Sequence, residues 1–242
     1  MLLGPNPVLT EGDVYAVSTT PKARVGAVVT DIYGDRYRYV KAGEALSAGY
    51  LAVSPAPLTT AIHNVDVNTA AIGDKTVTVT AGAEAVAADQ LSGGVLTVNS
   101  GTAIGDSYPI IGNDAISASG GAMIVRLGAP IHTAFGASDK VTISINPANG
   151  VLHDTSSTLQ PVGICVNDIA SGSFGWVKTW GVIGALADET ITLGAWVTSG
   201  TSTAGAVEEM DDVTAPVTDN LVGYAVVAGV DAEVRPIFVT IQ

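Results

Sequence analysis

Charge is scarce in this chain. Only 14% of its 242 residues are charged, against roughly 25% in ordinary soluble domains, so Thr, Ser, Gly and Ala must cover much of the surface. A neutral surface of that kind often meets other subunits. Basic residues are the scarcer sign: 10 Lys and Arg stand against 23 Asp and Glu, for a net charge of −13. Phosphate backbones are gripped by clustered Lys and Arg, so this balance argues against a nucleic-acid partner. The single cysteine, Cys165, cannot close an internal disulfide. Stability is then left to packing, and synthesis in a reducing compartment is allowed. No run of about 18 apolar residues offers a membrane span, and Met1-Leu2-Leu3-Gly4-Pro5 lacks the basic-then-apolar order of a secretion signal. The expectation is a soluble, unexported protein with no membrane partner.

The residues of catalysis are equally thin. His63, His132 and His153 lie far apart, with no H-x-x-x-H or H-E-x-x-H spacing to set two ligands on one element. His153-Asp154 is a possible imidazole orienter, yet no G-x-S-x-G elbow supplies a nucleophile, and Cys165 sits between Ile164 and Val166 as a buried structural thiol would. Neither G-x-G-x-x-G nor G-x-x-x-x-G-K-[ST] occurs. The densest acidic run, Glu208-Glu209-Met210-Asp211-Asp212, lacks the D-x-[DN]-x-[DN]-G spacing of a calcium loop and is expected to be a solvated acidic loop. Catalytic residues, cofactor and metal are therefore all expected to be absent, and the chain is expected not to be an enzyme. Tyr37, Tyr39, Trp176, Trp180 and Trp196 fall on alternating segments, which favours core packing over a sugar-binding platform.

What the sequence does have is period-two patterning. Thr76-Val77-Thr78-Val79-Thr80, Val95-Leu96-Thr97-Val98, Val141-Thr142-Ile143-Ser144-Ile145 and Ile237-Phe238-Val239-Thr240-Ile241 alternate or are β-branched throughout, as strands do. Turn formers such as Tyr33-Gly34-Asp35, Ser92-Gly93-Gly94, Ser119-Gly120-Gly121 and Asn149-Gly150 punctuate them. Residues 81–91, rich in Ala, fit one helix or a strand-loop-strand equally. The fold class expected is all-β, in barrel or sandwich-like units.

An internal repeat organises these strands. Residues 25–41 lie over residues 162–178 without gaps: Val25-Gly26 on Val162-Gly163, Val29 on Val166, Asp31-Ile32 on Asp168-Ile169, Tyr37 on Phe174, Tyr39 on Trp176 and Val40-Lys41 on Val177-Lys178. Downstream, Gly49-Tyr50-Leu51-Ala52-Val53 echoes Gly194-Ala195-Trp196-Val197, and a weaker third copy starts at Val222-Gly223-Tyr224. The divisions implied are an extended N-terminal arm (1–20), a first β-module (21–57), a middle β-domain (58–155), and a second β-module with a C-terminal strand (156–242). The arm and the terminal strand, if free at their edges, would pair between copies.

Ser173-Phe174-Gly175-Trp176-Val177-Lys178-Thr179-Trp180-Gly181 resembles a recurring segment of tailed-bacteriophage virion proteins. Lys75–Thr80, Gly93–Asn99, Tyr108–Asn113 and Val125–Leu127 follow in the same order as in those proteins, and Asp31–Val40 with Ala42–Gly49 is similar to β-rich head decoration, or cement, proteins. The resemblance covers most of the chain. It implies a structural subunit on the capsid exterior, made in the host cytoplasm, that binds the major capsid protein and stabilises its lattice. It also implies a homotrimer, with a dimer as the alternative. The other possibilities are a head-fibre base or tail-associated protein, and, outside viruses, a carbohydrate-binding or surface β-module.

Charge position suggests where docking occurs. Lys22, Arg24, Arg36, Arg38 and Lys41 fall within twenty residues that hold only two acids, Asp31 and Asp35, a local balance of +3. Alternation along 35–40 sends Tyr37 and Tyr39 to one face and Arg36 and Arg38 to the other. These five basic residues form the candidate docking patch. It suits an acidic surface, either a capsid subunit or the stretch from Asp188 to Asp219 of a neighbouring copy, which holds acids and no basic residue.

Overall fold

In the computed structural model the described residues are 13–59, 61–156, 158–210 and 220–241. Their regular secondary structure is almost entirely strand. One 3-10 turn, Asp13–Tyr15, precedes β1 (Val28–Thr30), β2 (Arg36–Ala42) and β3 (Leu51–Val53). The middle of the chain holds β4 (Val65–Val67), β5 (Thr76–Ala81), β6 (Val95–Ser100), β7 (Ser107–Asn113), β8 (Gly121–Leu127) and β9 (Lys140–Ser144). The remainder holds β10 (Asn149–Val151), β11 (Pro161–Cys165), β12 (Phe174–Leu186), β13 (Trp196–Ser199), β14 (Val207–Glu209), β15 (Gly223–Ala225) and β16 (Val234–Thr240). The chain forms two compact units, one from Ala56 to Asn149 and the other from the segments up to Pro55 and from Gly150 onward.

The middle unit is a closed antiparallel barrel in the order β4-β5-β8-β7-β6-β9, with β9 returning to β4. Its strands keep the alternation read from sequence. Val77 and Val79, Leu96 and Val98, Met123 and Val125, and Val141 and Ile143 all point inward and are buried. Closure leaves no edge strand. Residues 81–91 are the strand-loop-strand alternative: Ala81 ends β5 and Val86 bridges to Ile116.

In the other unit ten strands form one sheet, with the path β1-β2-β12-β16-β15-β13-β14, β11 between β12 and β3, and β10 beside β2. The repeat read from sequence is visible as topology. Three hairpins, β1-β2, β11-β12 and β15-β16, recur, and the first strand of the second and third hairpins pairs with the strand closing the copy before it, β11 with β3 and β15 with β13. The first two copies meet along β2 and β12. There the equivalent residues Tyr39 and Trp176 stand opposite each other, while Tyr37 faces Lys178 and Lys41 faces Phe174. Each copy thus sets its lysine against the other copy's aromatic ring, as a local two-fold relation requires.

Of the segment read as an arm, residues 1–12 lie outside the described residues. Val14 is buried against Tyr37, Tyr39 and Trp176, and Ser18 exchanges backbone hydrogen bonds with Phe174, so this part folds onto its own sheet. The C-terminal strand is not an edge either. β16 has β12 on one side and β15 on the other, so strand exchange through a free β16 edge is excluded as the route to assembly.

Cys165 ends β11 opposite Val177 and is wholly buried and unpaired. Burial, reinforced by the charge of Asp168, pushes its thiol up to about 12. Cys165→Ser should cost about 1 kcal/mol in denaturant unfolding, because a hydroxyl there is desolvated without a new partner. The native thiol should resist a bulky thiol reagent at pH 8 until the protein unfolds.

Candidate functional site

The structure separates the five basic residues. Lys22 and Arg24 are exposed on the segment before β1, and the Lys22 amide donates to the Tyr39 hydroxyl at 2.9 Å. Arg36 and Arg38 share one face of β2, as alternation requires, with Tyr37 and Tyr39 buried on the other. Lys41 alternates onto the tyrosine face, opposite Phe174. Arg36 is exposed, its guanidinium 5.4 Å from the Trp180 ring centre, within cation–π range. Arg38 lies half-buried between Val28 and Val177, and this burial lowers its pKa.

A bulge in β12 divides the site. Between Lys178 and Trp180 the β2–β12 register shifts by one residue, which re-aims the side chains beyond it. Before the bulge, Lys178 is buried, pairs with Asp35, donates to the Val182 carbonyl at 3.0 Å and lies 5.3 Å from the Tyr37 ring centre. Tyr37 donates to Asp31, and its pKa is raised by burial first and then by the charges of Asp31 and Asp35. The glycine of the Trp180-Gly181 pair has φ +109°, and a Cβ there would collide with Asp35 Oδ1. Glycine therefore makes room for the carboxylate that neutralises Lys178. A cavity of about 390 Å³ lined by Tyr37, Cys165, Lys178 and Val182 adjoins this pair.

After the bulge, Trp180 faces outward. From it an aromatic row crosses four strands: Trp180 to Phe238 at 5.3 Å, Phe238 to Tyr224 at 5.2 Å and Tyr224 to Trp196 at 5.8 Å between ring centres. Val182 lies beside it opposite Phe238, 49% exposed, and Trp196 is 53% exposed. The opposite face of the same strands carries Ala185, Ala225, Ile237, Val239 and Val197, all buried. The expectation that the aromatic residues pack in the core is met by Tyr37, Tyr39 and Trp176 and corrected for Trp180 and Trp196. Alternation assigns side chains to faces; it does not say which face is covered.

Of the acidic run read as a solvated loop, Glu208 and Glu209 end β14, and their carboxylates accept hydrogen bonds at exposed positions. Glu208 accepts from the Thr201 amide and hydroxyl, both at 2.9 Å, and Glu209 accepts from the Thr192 amide at 2.8 Å. Upstream, Asp188 accepts from the Ser202 amide at 2.7 Å. Burial works against charge on Asp188, but the Thr203 hydroxyl and the amides of Ser202, Thr203 and Thr201 outweigh it and hold its pKa below the usual value. Asp211, Asp212 and Asp219 lie outside the described residues. Among the described residues no three His, Cys, Asp or Glu side chains gather to hold a metal ion, and no helix is long and apolar enough to cross a membrane.

No protein-family model matches the chain, and no curated protein matches it. Among solved structures it is similar to the N base of the head fiber gp8.5 of bacteriophage phi29, at 16% identity, over 68% of this chain and 93% of that one, with a TM-score of 0.28. That score is too low to assign the two chains one fold, and the role of that protein is not transferred to this one.

Two outcomes are expected of variants at these positions. Lys178→Met should destabilise the protein by about 3 kcal/mol, because it leaves Asp35 without its cation. The added cost should shrink when Asp35→Asn is already present, as a double-mutant cycle in urea would measure. Asp188 has a folded pKa below its unfolded one, so its contribution is full above about pH 4 and is lost as pH falls through the lowered folded value. Asp188→Asn should therefore lower the melting temperature at pH 6, with the gap to the parent closing as pH falls below the ordinary carboxylate range.

Proposed function

We propose that the chain is a structural subunit of a bacteriophage virion that docks on the outer surface of the capsid and stabilises its lattice by binding rather than by chemistry. It is made in the host cytoplasm and then resides on the virion exterior, with the major capsid protein as its partner. The observation that carries this reading is the fate of the segment with the resemblance to virion proteins, Ser173–Gly181. It supplies the first half of the strand that joins the repeated hairpins, and it ends by turning Trp180 outward, where the core has no use for it. A sheet with one buried face and one apolar exposed face is built to adhere. Weak contacts of this kind, repeated over a lattice, sum through multivalency. Arg36 and Arg38 on the same side of β2 give the docking surface a positive end, which sets encounter rate and orientation more than affinity.

Emptied heads of the phage, mixed with the purified protein and pelleted, should carry it down at a saturating, lattice-multiple stoichiometry. Arg36→Glu with Arg38→Glu should leave the circular dichroism spectrum unchanged and reduce co-pelleting, most at low salt, where screening is weakest. Equal decoration by the double variant across a salt titration would remove the basic pair from docking. A few copies per head, independent of shell area, would favour a fibre base over decoration.

A further inference from the structure

The third copy of the repeat turns outward a face that the second copy keeps covered. Laid over Val162-Gly163-Ile164, Val222-Gly223-Tyr224 opens a hairpin with the same pairing: Tyr224 faces Phe238 as Ile164 faces Lys178, and Ala225 faces Ile237 as Cys165 faces Val177. Corresponding residues therefore share corresponding faces. In the second copy, Ile164 and Lys178 are buried, whereas Tyr224 and Phe238 belong to the outward aromatic row. The strand beside each hairpin repeats the contrast. Leu51, opposite Ile164, is 1% exposed, and its counterpart Trp196, opposite Tyr224, is 53% exposed.

The molecule itself shows how an aromatic stretch of this repeat is covered. Across Tyr37, Tyr39 and Trp176 of the first two copies lies the segment from Asp13 to Arg24, which contributes no strand to the sheet. Val14 and Ala23 pack on the rings, the Lys22 amide donates to the Tyr39 hydroxyl at 2.9 Å, and Ser18 exchanges backbone hydrogen bonds with Phe174. The cover is a single stretch of chain with small aliphatic side chains.

Curvature favours an equally narrow cover for the third copy. Ala187, just past β12, bridges Val207 of β14, so β12, β16, β15, β13 and β14 roll into a wall with the apolar cluster of Ile237 and Val239 inside and the aromatic row on the convex side. A flat folded surface would touch such a wall only along its crest. A single chain can follow it round. The row from Trp180 to Trp196 carries no charge, and at its β2 end stands Arg36, which belongs to no ion pair among the described residues.

Resting on the proposed capsid contact, we infer that the row receives one extended segment of the capsid subunit. The segment crosses β12, β16, β15 and β13, lays small aliphatic side chains on the rings as Val14 and Ala23 do on Tyr37, Tyr39 and Trp176, and brings a carboxylate to Arg36. Three strand spacings, about 14 Å, separate β12 from β13. An extended chain spans that distance in about four or five residues. Recognition of this kind reads a linear sequence and needs no folded shell around it.

The experiment pairs emptied heads with overlapping synthetic peptides of about 12 residues, long enough to cross the row, that together cover the capsid subunit of the same phage. The full chain should co-pellet with heads. One stretch of the capsid sequence, holding a carboxylate beside an uncharged run, should shift the tryptophan emission of the full chain to the blue at peptide concentrations up to about 1 mM, where weak contacts still register. Val182→Asp should lose both the shift and the co-pelleting. If that variant folds poorly by circular dichroism, Trp196→Asp, at an exposed position, reads the same loss. Heads that carry the protein while no peptide shifts its emission would overturn the linear segment and leave the capsid contact standing. So would peptides that bind both variants as well as the parent, or a shift produced by a polysaccharide and by no peptide. Heads that stay bare would overturn both, and they do so before any peptide is added.

Discussion

Thr179 sits where one strand has to serve two neighbourhoods. β12 is 13 residues long, and over its first half it is flanked by β2 and β11, while over its second half β16 replaces β11. Trp180, just past the bulge, has Arg36 across from it on one side and Thr240 on the other. A regular strand would keep Lys178 and Trp180 on one face. The extra residue turns Lys178 inward to Asp35 and Trp180 outward to the aromatic row, so the buried ion pair and the exposed apolar face have one cause. The cost of burying Lys178 is offset by the Asp35 carboxylate, the Val182 carbonyl and the Tyr37 ring together, and Gly181 is what lets Asp35 reach it.

This arrangement explains how a chain so poor in charge presents a surface with direction. Most exposed positions are neutral, so the few charges that remain act over longer range than they would in a crowded mosaic of both signs. The arginines lie on β2, and the acids from Asp188 to Glu209 lie on and beside β14, which the strand order separates from β2 by four strands. The acids are held by loop amides and hydroxyls, which keep them in place. In the proposed role as a virion subunit, such polarity orients each copy, and the apolar row supplies the contact area.

Much of the fold could be read in advance because period two is a strong local signal. The alternation of Thr76–Thr80 and Val95–Val98 appears unchanged as inward valine and leucine in the barrel. The overlay of residues 25–41 on 162–178 reappears as two hairpins joined at Tyr39 and Trp176. What could not be read depends on residues distant in sequence. Barrel closure needs β4 beside β9, far along the chain. The burial of Lys178 depends on Asp35, 143 residues away. The exposure of Trp180 depends on a bulge that no local pattern announces, and the role of Glu208 depends on the amide of Thr201 across a turn. The one available hint was the odd pairing of Trp180 with Gly181, a glycine inside an otherwise β-branched and aromatic strand, which marks a bulge or a close backbone approach.

The proposed docking on the capsid exterior is tested most directly by a cryo-electron microscopy reconstruction of emptied heads with and without the protein. Added density is expected on the outer surface at every equivalent lattice position, shaped to take the ten-stranded unit with its β2 end toward the shell. Shells that stay bare, with density only at the tail or at isolated sites, would contradict it.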